Sequence, residues 1–364
     1  MDGETRTRHP YFMYEAIQGQ PDAFARVAAL RAPDLADAGP RIGACERLYV
    51  IGIGTSLHAA QTGEGLIAAY GAGMPVRAVH SFDFALYGPP LGARDGVIAV
   101  SHRGTKRYTV EALARANEAG CLTVLITGEG GATERPAADI TLRTVTQEPS
   151  AAHTISYTTS VAVLAGIAGQ VGLARTHRPP FPPTLLSDRI PQAMRTALGT
   201  EDAMASFASE HVGRRRIWLV GGGPGAIVAH EIALKIKETS YLQAEGLGVE
   251  PMLHGPLLCA EPEDLFIVIA PEGPAQARVV EFGGAIREIG APYLVVSDGT
   301  PHGLRQGAAG WCTVPAVPEP FSPLTCLVPL QLLTYHLALI RGTNPDVFRM
   351  DDPRFARIRQ QIPL

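Results

Sequence analysis

Apolar residues gather in short runs bounded by glycine, proline and polar residues, and these runs alternate with stretches of helical period. RLYVIGIG (47–54), PVRAVHS (75–81), GVIAVS (96–101), LTVLITG (122–128) and DITLRT (139–144) read as five strands. The first, third and fourth are apolar almost throughout, as strands covered on both faces must be. Helical stretches lie between them, TVEALARANEAG (109–120) being the clearest, and a long apolar helix over 153–175 closes the set. Residues 11–36 predict one or two amphipathic helices broken near Pro21. The proline-rich segment THRPPFPPTL (176–185) reads as a linker.

The cycle then starts again. A helix is predicted over 190–210, a strand with a glycine-rich turn at RIWLVGGGPG (216–225), and a helix from Glu231 to Glu245. DLFIVIAPEG (264–273), PYLVVSDG (292–299) and AGWCTVP (309–315) read as further strands, with a helix at 277–290 and a last apolar helix at 323–341. Alternating strands and helices predict parallel sheets with helices on both faces. The expectation is an α/β protein of two tandem doubly wound sheets, three-layer αβα and flavodoxin-like, an internal duplication. Its divisions are a helical segment 1–40, a first domain 41–180, a second domain 190–342 and a polar tail 343–364.

Composition narrows the function classes. A net charge of −4 over 364 residues argues against a nucleic-acid surface. No apolar leader pattern opens the chain, and the run Leu324–Ile340, interrupted by Gln331, Tyr335 and His336, reads as a buried helix rather than a membrane span. A cytoplasmic protein is expected. The five cysteines show no zinc spacing, and Cys45, Cys121, Cys259 and Cys326 lie in or beside apolar runs, so buried thiols are expected. Neither metal nor cofactor is predicted. Lysine occurs only at 106, 235 and 237, which limits any lysine chemistry to three positions.

Candidate chemistry sits at strand ends, where open parallel sheets bind ligands. Gly54-Thr55-Ser56 and Ser101-His102-Arg103-Gly104-Thr105 each bring hydroxyls and backbone N–H groups to a helix start, an arrangement suited to a phosphate or carboxylate. Arg103 and Lys106 add positive charge. Glu148 and Ser150, in QEPSAAHTISYTT after the fifth strand, are further candidates, and His153 reads as a partly buried histidine. The turn GGGPG is not a dinucleotide fingerprint. In the second half, Glu231, Lys235 and Glu238 fall at i, i+4 and i+7 on one helix face, with His254-Gly255-Pro256 in the loop beyond. Such charges commonly only support a helix. The same groups can also move a proton beside a carbonyl and open a sugar ring. Glu231 reads as a first-turn acid favoured by the helix dipole.

HEIALKIKETSYLQAE…HGPL (230–257) and VPLQLLTYHLALIRGTNPD (328–346) resemble the tandem sugar-isomerase (SIS) domain family, and within it the isomerase half of the glutamine–fructose-6-phosphate aminotransferases. The resemblance covers nearly the whole chain. It implies a phosphosugar enzyme of carbohydrate metabolism in which Glu238 shuttles a proton between C1 and C2, and Lys235 lies near the substrate. His254 assists ring opening from the neighbouring subunit of a homodimer, and Thr55, Ser56 and Ser101 contact sugar and phosphate. Departures are as informative. The family's SQSGET loop is SHRGTK here (101–106), Ile155 replaces a lysine of its ASTKAFT motif, and Glu250 stands one place from a family glutamate whose position holds Pro251. No lysine follows Lys237, so the family's C-terminal Schiff-base lysine has no counterpart. With 46 residues before the first strand, a glutaminase domain is not expected. The resemblance therefore implies an aminosugar-phosphate isomerase or deaminase working without glutamine hydrolysis. The alternatives are a fructosamine-6-phosphate deglycase, a plain aldose–ketose isomerase, or a non-catalytic sugar-phosphate-binding regulator.

Overall fold

The computed structural model describes residues 5–132 and 137–362, so the extreme ends of the expected helical segment and tail lie outside the described residues. The chain divides into two compact units. One holds Gly19–Glu148 and His153–Pro191; the other holds the N-terminal residues to Gln18, Pro149–Ala152 and Gln192–Gln361.

In the first unit, β1 (Arg47–Gly52), β2 (Val76–His80), β3 (Asp95–Val100), β4 (Leu122–Glu129) and β5 (Ile140–Thr146) form one parallel sheet in the order β2-β1-β3-β4-β5. Every residue of β3 is buried, which accounts for its unbroken apolar run. Helices α2 (Thr55–Tyr70), α3 (Ser81–Tyr87), α4 (Arg107–Glu118) and α5 (Ile155–Thr176) complete this unit's layers. The second unit repeats the plan. Its strands β6 (Ile217–Gly221), β7 (Ala244–Gly248), β8 (Leu265–Ile269), β9 (Tyr293–Ser297) and β10 (Gly310–Thr313) take the order β10-β9-β8-β6-β7, the same succession read from the other edge. Around them are α6 (Ile190–Leu198), α7 (Glu201–His211), α8 (Pro224–Thr239), α9 (Val249–Leu253), α10 (Gln276–Ile289), α11 (Ser322–Ile340) and α12 (Pro353–Gln361). Helix α5 and the segment Glu319–Ile340 are long and apolar enough to cross a membrane, but 72% and 83% of their apolar windows are buried within the protein, as core helices are.

The duplication extends to the first turn of each unit. Gly54 (φ 57°, ψ −129°) precedes α2 and Gly223 (φ 52°, ψ −124°) precedes α8. Both glycines hold positive φ, which a side chain would strain. The strand residue two places earlier is glycine in each case because the chain returns on itself. A Cβ on Gly52 would lie 2.3 Å from the Ser56 oxygen, and one on Gly221 would lie 2.4 Å from the Gly225 carbonyl carbon.

Several expectations need correction. Helix α1 (Phe12–Gly43) runs unbroken through Pro21, Pro33 and Pro40. Its inward positions Met13, Ile17 and Phe24 are fully buried, and Gln20 accepts a 2.5 Å hydrogen bond from the Thr158 hydroxyl, so packing outweighs the roughly 3 kcal/mol cost of an interior proline. The N-terminus of α1 is held from the tail: Asp346 accepts hydrogen bonds from the Phe12 and Met13 amides at 2.9 and 3.0 Å. The helix predicted for 231–245 starts at Pro224 and stops at Thr239, and Ala244–Gly248 is an edge strand paired with β6. The stretch predicted as one helix over 190–210 is two, α6 and α7, parted at Gly199-Thr200. Cys259, expected buried, is exposed.

Candidate functional site

In the first unit, the strand ends carry the two loops with helix-start hydroxyls. Thr55 and Ser56 open α2 behind Gly54, where the helix dipole is positive and no side chain caps the turn. After β3, Ser101 is 3% exposed, and its hydroxyl has no hydrogen-bond partner among the described residues. Gly104, at φ 71°, passes so close to Ala132 that a Cβ would meet its carbonyl oxygen at 2.0 Å. The Arg103 guanidinium makes no hydrogen bond or ion pair among the described residues and is partly buried, whereas Thr105 is exposed. A partly buried, unpaired guanidinium beside a helix start suits an acidic group on a ligand.

His102 serves the frame of this loop. Its ring is 6% exposed and lies against Gly128, and its Nε2 accepts the Glu148 amide hydrogen at 3.0 Å. Burial, with the nearby charge of Arg103 second, pushes the imidazole pKa down to about 4. The His102 carbonyl in turn accepts from the Gly128 amide, the Thr127 hydroxyl and the Gln147 amide group. The ring of His153 stands edge-on to it, centroids 5.2 Å apart. Glu148 is also occupied. Its carboxylate accepts from the Thr154 amide (2.8 Å), the Thr154 hydroxyl (3.1 Å) and the Ser156 amide (3.2 Å), capping α5, and burial raises its pKa. Ser150 belongs to the other unit, fully buried, with its hydroxyl 3.5 Å from the Ala152 carbonyl.

In the second unit, α8 carries the charged face. Proline suits its first position because the missing N–H has no partner there anyway. Glu231 therefore lies mid-helix rather than in the first turn, fully buried. The Lys235 ammonium lies 3.7 Å from Glu231 Oε1 and 2.5 Å from Glu238 Oε2. Lys235 is buried, while the Glu238 side chain keeps 21% exposure. One buried cation thus joins two carboxylates, and one of the two can reach a ligand.

His254 follows α9 with its side chain 77% exposed. Its Nε2 lies 3.2 Å from Glu250 Oε2, and it makes no hydrogen bond or ion pair with Glu231, Lys235 or Glu238 among the described residues. Glu250 is held by Arg278, whose Nε is 2.5 Å from Oε1; Arg278 also binds Glu281 at 2.6 Å. Sequence reasoning missed Arg278, 24 residues beyond the histidine. The i, i+4 spacing of Glu250 and His254 was the available signal for the other partner. Among the described residues no three metal-ligating side chains gather.

The SIS domain profile matches residues 42–168 and 212–341. The glutamine–fructose-6-phosphate aminotransferase (isomerizing) of Pyrococcus horikoshii is 31% identical over 341 residues, covering 93% of this chain and 56% of the relative. That of Aeropyrum pernix is 30% identical, covering 95% and 57%. The chain thus spans little more than half the length of these relatives. Among solved structures, the C-terminal domain of glucosamine-fructose-6-phosphate aminotransferase from Francisella tularensis superposes with a TM-score of 0.84 at 19% identity, covering 94% of this chain and 99% of that one. Glucosamine-6-phosphate deaminase from Thermotoga maritima gives 0.72 at 18% identity, covering 92% and 96%. At these identities the structures speak for the fold: two helix-flanked parallel sheets.

Proposed function

Because the chain belongs to the SIS domain family, a family of phosphosugar isomerases, we propose that it is an aminosugar-phosphate isomerase or deaminase. The observation that carries this reading is the Glu231–Lys235–Glu238 face, in which a carboxylate with solvent access touches a buried ammonium. Proton transfer next to a carbonyl needs a positioned base and positive charge for the oxygen that becomes anionic. Glu238 takes the proton from the carbon beside the carbonyl and returns it to the neighbouring carbon. Lys235 supplies charge to the enediolate-like intermediate. In the deaminating direction water adds to the C2 imine that the proton shift produces and ammonia leaves; in the other direction free ammonia condenses with the C2 carbonyl and water leaves. His254 opens the ring. The loops Gly54–Ser56 and Ser101–Thr105 take the acidic group, with Arg103 in place of a neutral residue. Lys235, on the same face as Glu238, is the candidate for any amine chemistry that a Schiff base would demand.

We assign the working form to a cytoplasmic homodimer. His254, 77% exposed, and Leu258, 90% exposed four residues on, leave this loop open to a second copy, as the reading of His254 as a residue serving the neighbouring subunit needs. The test is Glu238→Gln assayed on glucosamine 6-phosphate and on fructose 6-phosphate with ammonium. Turnover should be abolished with binding retained. A panel of hexose, hexosamine and fructosamine phosphates in which no member stabilises the wild type against heat would overturn the reading.

A further inference from the structure

We propose that Glu250 and Arg278 are positioning residues for His254, fixing the ring so that Nδ1 is the nitrogen that faces the sugar. The inference rests on the reading of His254 as the ring-opening residue. The geometry is a relay of three side chains. Arg278, on α10, places its Nε 2.5 Å from Glu250 Oε1, with a longer approach of Nη2 to Oε2 at 3.5 Å. Glu281 anchors Arg278 from the other side at 2.6 Å. The carboxylate is thereby oriented, and Oε2 meets His254 Nε2 at 3.2 Å across one turn. A carboxylate can only accept, so Nε2 donates, and the proton-free nitrogen of the neutral ring is Nδ1.

The chemistry follows from that tautomer. Nδ1 takes the proton of the anomeric hydroxyl. The freed electron pair forms the carbonyl bond while the ring C–O bond breaks, and the imidazolium returns the same proton to the released ring oxygen. Glu250 stabilises the imidazolium in between. Arg278 holds the Glu250 carboxyl below the usual carboxylate range, so it is an anion throughout. The other charged groups on elements packed against α9 are Glu245 on β7 and Glu281, Arg287 and Glu288 on α10. Among the described residues none of them bonds His254.

The test combines a structural and a kinetic readout on the full chain. Long-range nitrogen–proton NMR of His254 should show the Nε2–H tautomer in the wild type and a mixed population in Glu250→Gln, and this reading needs no substrate. With glucosamine 6-phosphate as the probe, Glu250→Gln should lower kcat by about tenfold and Arg278→Gln by less, since the coupling of exposed groups is modest. If His254→Asn abolishes turnover while Glu250→Gln moves neither the tautomer nor kcat, the positioning role is wrong. If His254→Asn leaves turnover intact, the parent reading of His254 falls and this one with it.

Discussion

Acid should loosen the first unit through His102, and the size of the effect can be worked from its setting. The ring is buried, its Nε2 is committed as an acceptor, and its pKa stands at about 4 against 6.5 when exposed. At pH 7 both folded and unfolded forms are neutral and the group contributes nothing to pH dependence. As pH falls through 6.5 the unfolded chain takes up a proton that the folded chain refuses until about 4. Stability is therefore lost across that window. A gap of about 2.5 pKa units at 1.36 kcal/mol each makes the full loss about 3 kcal/mol, and about 2.5 kcal/mol of it falls between pH 7 and 4.5. His211, also lowered by burial, acts in the same sense. Glu148, raised by burial, acts in the opposite one, since its folded form binds the extra proton. Both persist in His102→Gln, whose amide oxygen can still accept from the Glu148 amide, so the difference between the two proteins isolates His102. Trp218 and Trp311 both lie in the second unit, so indole fluorescence would miss the event. Urea unfolding followed by circular dichroism, with amide exchange of β3 and β4, reports the first unit. The advantage of wild type over variant should shrink by about 2.5 kcal/mol from pH 7 to 4.5. Parallel stability curves over that range would refute the argument.

Two further outcomes test the frame. Lys235→Met leaves Glu231 and Glu238 without their shared cation and should cost about 3–5 kcal/mol in urea unfolding, with partial recovery on adding Glu231→Gln. Asp346→Ala removes the acceptor of the first two amides of α1 and should cost about 1 kcal/mol, read as faster amide exchange at Phe12 and Met13; unchanged exchange there would remove the tail from the account of α1.

The parallel sheets were legible because strands buried on both faces write themselves as apolar runs: GVIAVS and LFIVI needed no partner to be recognised. Their order in the sheet was not legible, since no residue of β1 specifies β3 rather than β4 as neighbour. Strand β7, AEGLG, was invisible because glycine carries no strand preference. Its middle glycine answers to the Ala229 oxygen, which a Cβ would approach to 2.3 Å. The spacing of Glu231, Lys235 and Glu238 gave the face correctly. It could not say that Glu231 and Lys235 are buried while Glu238 keeps solvent access, because charged residues at helical spacing read as solvated. Likewise the sequence offered His102 and Glu148 as ligand contacts. The structure commits the His102 ring nitrogen to the Glu148 amide and the Glu148 carboxylate to the start of α5, distances along the chain that no local pattern encodes.

The matched turns at Gly54 and Gly223 bear on how the two halves parted. Where the first turn continues Thr-Ser, the second continues Pro-Gly. A side chain restored at Gly225 would place its Cβ 3.0 Å from the Ile269 oxygen and 3.3 Å from the Ile269 Cγ2. The neighbouring strand lies close to the place a side chain would need. The two copies thus differ in the room at this turn: a Gly225→Ser change would need the end of β8 to give by a few tenths of an ångström, whereas the first copy already carries Ser56 there. Laboratory evolution that seeks a second acid-binding turn in this scaffold gains from changes that loosen the end of β8 together with Gly225.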